Sequence, residues 1–396
     1  MKKELTNQEK NEYIFILSLL SNLFGIEKKI KVPQNIDYNR VHKIAADNCI
    51  SNMISYAVTK ANLKIPHDIS KSLIYKQKFM LFKDASQFSA TKKLIEAFET
   101  NGIDNLLVKG QFIKNCYGQP DFRFMSDVDI HVKAKDFEKI KKIVTDLDFK
   151  TGTQTDDLLI IYQEPFVEVE LHGDNGMFTD TEFNNNLFIN AKLQDGKKHT
   201  YEFTLDDHYI YIVEHFAKHF RDLGGMGIKM MTDIYHLQKA FSHKINKDYV
   251  YKRLRASGTL NFYRTLISKC KKYFELGMTI DNFDMVDIFI LSNPMFGTEE
   301  VLMYNKRIQF EEKYLNSDNE SYLIKRLFPP KSRMIEDYPV LKRAGVLLPL
   351  TWVHRGVKIA FSKNRKQYKE NITKYKKYNN LSEIEYLKQV MKKAGF

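Results

Sequence analysis

Residues 106–132, LLVKGQFIKNCYGQPDFRFMSDVDIHV, contain the pattern that decides the fold. The stretch predicts a strand, a Lys-Gly turn that opens a helix, a loop, and a second strand carrying Asp127 and Asp129. Because side chains alternate along a strand, both carboxylates point to one face with His131, and the apolar residues between them pack on the other. Two carboxylates held this way can share a hard divalent cation, usually Mg²⁺, together with nucleotide phosphate oxygens. The stretch therefore indicates phosphoryl chemistry.

A second acidic strand is predicted at residues 166–172, FVEVELH. Alternation places Glu168, Glu170 and His172 on one face, and apolar side chains on the other. A carboxylate from a neighbouring strand can orient an attacking hydroxyl as a general base, or complete a second metal site. Both glutamates are therefore candidates for a third acid beside the Asp pair.

Phosphate-binding groups are predicted before the Asp pair. Lys109 and Gly110 form the turn that opens a helix, and helix N-termini favour phosphate because their first N–H groups are free. Gly110 allows a close backbone approach, and Lys109 can neutralise a phosphate. Arg123 lies four residues before Asp127, and its planar guanidinium also suits phosphate. The alternatives are a simple capping turn and an ordinary surface or salt-bridged arginine.

The periodicity of the whole chain places a small sheet between helical segments. Helices are predicted near 7–25, 41–58 and 68–101, and again from residue 206 onward. Strands are expected within the following ranges: 103–110, 126–132, 158–163, 166–172 and 199–205. We therefore predict an α+β fold in four segments: a helical segment 1–100, an αβ core 101–205, a helical domain 206–350 and a basic helical tail 351–396.

Composition narrows the class of protein. The 396 residues are 43% apolar and 28% charged, which is typical of a globular chain. Cys49, Cys116 and Cys270 are odd in number and far apart, so they predict no disulfide framework and a reducing compartment. The first apolar run lacks a signal-peptide cleavage site, and no apolar run reaches the length of a membrane span. We expect a cytoplasmic protein with no transmembrane segment.

The positive charge is concentrated at one end. The net charge is +13, and residues 355–396 contain twelve Lys or Arg against three Glu. This basic tail also contains Tyr and Phe, a mixture that can bind nucleic acid or lie on an anionic membrane. A solvated helix is the remaining alternative. Trp352 is expected to be packed, or interfacial if the tail contacts lipid.

On LLVKG, Arg123, SDVDIHV and VELH, the chain resembles the bacterial group of uncharacterised nucleotidyltransferases in the polymerase-β-like superfamily. Two later stretches, YIVEHFAKHFRDLGGMGIKMMTDIYHL and YPVLKRAGVLLPLTWVHR, extend the resemblance over most of the chain. It implies a polymerase-β-like mixed sheet, a Mg²⁺ or Mn²⁺ site on Asp127 and Asp129, and Glu170 in place of the third acid. The chain departs from the superfamily pattern in three ways. The usual Gly-Ser turn is Lys-Gly, and the spacing from this turn to the Asp pair is longer than in most members. The third acid is Glu instead of the expected Asp.

Two helical pairs follow the predicted sheet. His215 and His219 are four residues apart on one face, but the order of residues around them does not match the HExxH pattern of zinc proteases. The resemblance places this helix beside the nucleotide, which makes His219 a candidate substrate contact. Lys229 and Asp233 are either a surface ion pair, or a phosphate-facing lysine held in place by Asp233.

The predicted reaction is metal-dependent transfer of a nucleoside monophosphate from an NTP to an unknown acceptor, with release of pyrophosphate. Asp127, Asp129 and Glu170 are the predicted metal ligands and catalytic residues. The predicted substrate-binding residues are Lys109, Gly110, Arg123, His219, Lys229 and Asp233. Two alternatives stay open: a non-catalytic nucleotide-binding or regulatory module of the same fold, and a glycosyltransferase that holds a nucleotide sugar through Asp-x-Asp and a metal.

Overall fold

The computed structural model describes residues 1–27, 29–173, 187–315, 322–362 and 365–396. The chain forms two compact units. The larger contains residues 2–220, 226–295 and 393–396, and the smaller contains residue 1 and residues 221–225 and 296–392. These units are discontinuous in sequence, and the four-segment division stays a prediction. None of the helices in the described part of the chain combines the length and the apolar character needed to cross a bilayer.

The first hundred residues of the larger unit are helical, as predicted. The helices are α1 (Asn7–Leu23), α2 (Tyr38–Asp47), α3 (Ser51–Lys60) and α4 (His67–Thr100). The single helix predicted over 41–58 is instead two, because Cys49 has a φ of 54°, which a continuing helix does not allow. Helix α4 ends where Asn101-Gly102 predicts, with Gly102 at a φ of 67°.

A seven-stranded mixed sheet follows, in the order β3-β4-β5-β2-β1-β7-β6. Its strands are β1 (Asn105–Leu107), β2 (Val128–Val132), β3 (Lys150–Gln154), β4 (Leu158–Gln163), β5 (Val167–His172), β6 (Ala191–Leu193) and β7 (Thr200–Phe203). Short helices α5 (Gly110–Lys114) and α6 (Phe137–Thr145) lie between them. The sequence did not predict β3 or β6, which form the two edges of the sheet. Strand β3 is exposed throughout and has no apolar alternation to reveal it.

One face of the sheet is apolar and packs on helices. Residues Val128 and Ile130 of β2 and Val169 of β5 are fully buried in a core that includes Leu94 and Phe98 of α4. Because side chains alternate, this packing turns the acidic residues of β2 and β5 to the opposite face. The core therefore fixes the direction in which the candidate site points.

The remaining described helices are α7 (Leu205–Lys218), α8 (Gly227–Phe241), α9 (Lys247–Ala256), α10 (Leu260–Cys270), α11 (Met285–Ser292), α12 (Glu299–Tyr314), α13 (Tyr322–Leu327), α14 (Lys331–Asp337), α15 (Leu348–Ala360), α16 (Arg365–Lys377) and α17 (Leu381–Ala394). Helix α7 runs into a π-helical turn that begins at His219. Together with the mixed sheet, these helices confirm the predicted α+β fold.

Candidate active site

The acidic face is organised by the parallel pairing of β2 with β5. In this register Asp129 lies opposite Glu170, and His131 lies opposite His172. Residue Asp127 directly precedes β2, so alternation keeps it on the same face as Asp129. The structure thus brings together the three carboxylates that the sequence selected from two separate segments.

Three side chains on this face form a compact set of possible metal ligands. One ligand atom each from Asp129, Glu170 and His172 lies within 4.8 Å of the others. His172 Nε2 is 2.9 Å from Asp129 Oδ1 and 3.3 Å from Glu170 Oε2. The two carboxylate oxygens suit Mg²⁺ or Mn²⁺, and the imidazole nitrogen favours a transition metal such as Mn²⁺ over the harder Mg²⁺. Strand alternation placed His172 on this face, but the sequence analysis did not select it as a ligand.

Lys109 neutralises one carboxylate of this set, that of Asp129. Its Nζ lies 2.6 Å from Asp129 Oδ1, and both side chains are nearly buried. Burial alone would raise the pKa of Asp129, but Lys109 and the hydrogen bond from His172 hold that pKa well below its usual range. Burial alone would also lower the pKa of His172, whereas its bonds to Asp129 and Glu170 raise it.

The Lys-Gly turn is strained and tightly packed. Lys109 adopts φ 50° and ψ −102°, a conformation that non-glycine residues rarely take. A Cβ at position 110 would lie 2.9 Å from Met125 Cε and 3.0 Å from a terminal nitrogen of Arg123, so a larger residue there would require the ends of these two side chains to shift. The helix that Gly110 opens has only five residues, which gives it a small dipole. Phosphate binding by Lys109 and Gly110 stays a prediction.

Asp127 lies in a different environment from Asp129. Ser126 Oγ donates to its Oδ1 at 2.9 Å. Burial raises the pKa of Asp127, and repulsion from Asp129 and Glu170 adds to the effect. Asp127 is not part of the compact trio, and its predicted metal-binding role stays a prediction.

Lys83 on α4 is a basic neighbour that the sequence analysis missed. Its Nζ donates to the Ser126 carbonyl oxygen at 3.0 Å. Burial lowers the pKa of Lys83, while the carboxylates of Asp127 and Glu168 oppose that shift. No local signal could have selected it, because a lysine among other charged residues on a long helix normally belongs to a solvated face.

Two half-buried histidines of the α7 region lie in the field of Lys109. The rings of His215 and His219 are 4.5 Å apart. Burial, together with the positive charges of Lys109 and Lys229, lowers the pKa of His219 to about 4, so the ring is neutral at pH 7. Neither His215 Nδ1 nor His219 Nδ1 has a hydrogen-bond partner among the described residues. A substrate contact by His219 stays a prediction.

The charged residues after the sheet form a buried network instead of a surface ion pair. Asp233 accepts hydrogen bonds from Arg123 Nε at 2.9 Å, Arg123 Nη2 at 3.1 Å, Lys229 Nζ at 3.1 Å and Tyr117 Oη at 2.7 Å. Its side chain is fully buried. Burial alone would raise the pKa of Asp233, but Arg123 and Lys229 lower it. The structure thus joins these predicted residues, whose contact with substrate stays a prediction.

Comparison with known proteins identifies the family. A family model described as an uncharacterised nucleotidyltransferase matches residues 34–275, which is more than half of the chain. The matched range contains the Lys-Gly turn, the acidic face of β2 and β5, and the Asp233 network. No curated protein and no solved structure matches the chain.

Proposed function

We propose that this protein, which belongs to the uncharacterised nucleotidyltransferase family, transfers a nucleoside monophosphate from an NTP to an acceptor and releases pyrophosphate. Family membership supports the general activity. The observation that carries the specific reaction is the in-register pairing of Asp129 with Glu170, which gathers carboxylates and an imidazole on one face of the sheet. Such donor sets bind the divalent cations that accompany triphosphates.

The residues present fit a divalent cation. Asp129, Glu170 and His172 would hold it, and we assign Asp127 to the same group because it shares their face. A bound Mg²⁺ or Mn²⁺ would neutralise charge that develops on the phosphoryl oxygens. Glu170 is also the side chain that we assign to draw the proton from the acceptor hydroxyl.

Several basic residues surround the carboxylates and are suited to the triphosphate. Lys109 and Lys83 supply positive charge beside Asp129 and Asp127. The neutral His219 ring can donate or accept a hydrogen bond with the nucleotide. Arg123 and Lys229 form ion pairs with Asp233, and we assign them a secondary role in neutralising the phosphates. Catalysis in this arrangement rests on positioning and charge stabilisation.

The proposal also covers the binding partners of the protein and its location in the cell. The acceptor and the nucleobase are open, because no residue pattern selects either. Three free cysteines, Cys49, Cys116 and Cys270, agree with a reducing cytoplasm. Contact of the basic tail with nucleic acid or an anionic membrane stays a prediction, since the transfer chemistry does not require it.

A specific contact favours a second candidate, a nucleotide-binding module without turnover. Lys109 already neutralises Asp129, one of the two carboxylates in the ligand set. If that pair persisted when nucleotide binds, the trio would lose a metal ligand. The two candidates therefore differ in whether bound NTP is consumed.

Label transfer separates these candidates. The full chain is incubated with Mn²⁺ or Mg²⁺, a deproteinised cell extract as the acceptor source, and NTP labelled at either the α- or the γ-phosphate. The proposal expects α-label in a new product and γ-label in pyrophosphate. Nucleotide binding without either product would establish the module instead.

The controls compare the loss of carboxylate charge inside the site with a loss outside it. The Asp129→Asn/Glu170→Gln variant removes two carboxylate charges from the site and should abolish transfer. Asp156→Asn removes an exposed carboxylate from the β3–β4 turn and should leave transfer unchanged. Equal transfer by the double variant and the wild type would contradict the assignment of these acids.

A further inference from the structure

The smaller unit exposes a row of large apolar side chains along α15 and its two ends. The fractional exposures are 88% for Val346, 65% for Leu350, 65% for Val353, 51% for Val357 and 88% for Phe361. Their spacing of four, three, four and four residues places them on one side of a helix. We call these five residues the apolar ridge.

The opposite side of α15 is the packed one. Thr351 is buried, and Trp352 Nε1 donates to the Pro329 carbonyl oxygen at 2.8 Å. The Trp352 ring also makes an edge contact with Phe328, with centroids 5.5 Å apart. Packing therefore holds the helix in a fixed rotation and presents the apolar ridge outward. Trp352 was expected to be packed or interfacial, and these contacts show that its indole is packed inward.

The sequence around the ridge is basic without interruption. Residues 338–369 contain eight Lys or Arg and no Asp or Glu. Lys342, Arg343 and Lys358 are exposed and form no ion pair with any residue that the structure describes. An outward apolar row with uncompensated cations beside it has the composition of a helix that lies in a membrane interface.

We propose that the apolar ridge and its basic flanks form a docking surface for an anionic phospholipid membrane. The five apolar side chains enter the boundary between headgroups and acyl chains, and the Lys and Arg side chains remain at the phosphate level. Helix α15 lies parallel to the bilayer, because it is too short and too charged to cross it. The ridge belongs to the smaller unit and the acidic face of β2 and β5 to the larger one, and the proposal does not depend on the transfer reaction.

Charge and polarity favour this occupant over two others. A second copy of the chain would bring two basic surfaces together, and like charges repel. A nucleic acid would match the cations but leave the apolar ridge in water. An anionic bilayer is complementary to both features at once.

Vesicle co-sedimentation tests the proposal with the full-length protein. The vesicles are phosphatidylcholine alone, or phosphatidylcholine with phosphatidylglycerol. We expect binding to the anionic vesicles, at least about tenfold weaker binding to the neutral ones, and weakening by salt. Equal binding to both vesicles, or none to either, would overturn the proposal.

Matched variants locate the surface. Val353→Glu/Val357→Glu places two charges on the ridge and should abolish vesicle binding. Ile189→Glu/Leu276→Glu places two charges at side chains of the larger unit that are 78% and 81% exposed, and should bind like the wild type. Equal loss in both variants would show a nonspecific charge effect and overturn the assignment.

Further measurements keep the result interpretable if the ridge variant unfolds. Lys342→Glu/Lys358→Glu leaves the apolar ridge intact and should also lose binding to anionic vesicles. Light scattering after size-exclusion chromatography should give a monomer mass for the wild type and for every variant. A dimeric wild type with a monomeric ridge variant would overturn the proposal in favour of self-association. Tight binding of a single-stranded oligonucleotide without vesicle binding would overturn it in favour of nucleic acid.

Discussion

At the scale of single residues, the Lys109–Asp129 pair controls the candidate site. Both side chains are nearly buried, and the two charged atoms are 2.6 Å apart. The strained backbone at Lys109 holds its side chain beside the carboxylate. A divalent cation and the Lys109 ammonium would therefore compete for the same carboxylate.

Replacing Lys109 tests this competition. We expect Lys109→Met to lower the free energy of unfolding by about 3 kcal/mol, because Asp129 becomes a buried charge without its cation. Addition of Mn²⁺ should restore much of the loss, since a metal bound only to the folded protein stabilises it. Thermal unfolding with and without Mn²⁺ measures both effects. A Mn²⁺-induced rise in Tm no larger than in the wild type would contradict the competition.

The Asp233 network makes a separate residue-scale prediction. Asp233→Asn leaves Arg123 and Lys229 buried without a counter-charge, so we expect a loss of about 3 to 5 kcal/mol in unfolding free energy. Asp47→Asn removes the partner of Lys43 in an exposed pair on the same unit and should change stability far less. Urea unfolding of both variants gives the comparison. Similar losses in the two would show that the Asp233 network contributes no more than a surface pair.

At the scale of secondary-structure elements, the sequence predicted which side chains share the acidic face, because side chains alternate along a strand. Apolar residues alternate with Asp129 and Glu170, and this alternation predicted the face on which each carboxylate lies. The register between β2 and β5 was not predictable, because it depends on long-range pairing. His172 became a candidate ligand only when that register was known.

Three other features had no local signal. The break between α2 and α3 rests on the backbone of Cys49, where the apolar periodicity continues without interruption. The burial of Lys83 depends on how α4 crosses the sheet. The sequence also could not show that Asp233 joins Arg123, which is 110 residues away in the chain.

A buried histidine of helix α7 predicts that stability depends on pH. His208 stacks on Phe112 with ring centroids 4.1 Å apart, and burial lowers its pKa from 6.5 to about 4. The unfolded chain therefore binds this proton more tightly than the folded one, so stability falls as the pH decreases from about 6.5 toward 4. At pH 5 the loss from His208 should be about 2 kcal/mol relative to pH 7.

The matched variant is His208→Phe, which keeps an aromatic ring and has no proton to bind. Urea unfolding at pH 7 and pH 5 should show a smaller decrease for this variant than for the wild type, by about 2 kcal/mol. Because other buried histidines titrate equally in both proteins, the difference isolates His208. An identical pH dependence in the two proteins would contradict the assignment.

At the scale of the whole molecule, the two compact units predict separable unfolding. Differential scanning calorimetry should resolve two transitions, since two-state behaviour holds for single domains and not for chains with several. NTP with Mn²⁺ should raise only the transition of the larger unit, which contains the acidic face. The Leu341→Ala variant, which empties a fully buried position in the smaller unit, should lower only the other transition. One cooperative transition that both changes shift together would contradict this division.

The proposed function requires the acidic face of β2 and β5 to bind a metal–nucleotide complex. Calorimetric titration of each of the four NTPs, with and without Mn²⁺ or Mg²⁺, tests it most directly. We predict metal-dependent binding to the wild type and to Asp156→Asn, and none to Asp129→Asn/Glu170→Gln. Absence of binding in the folded wild type, or unchanged binding in the double variant, would contradict the account.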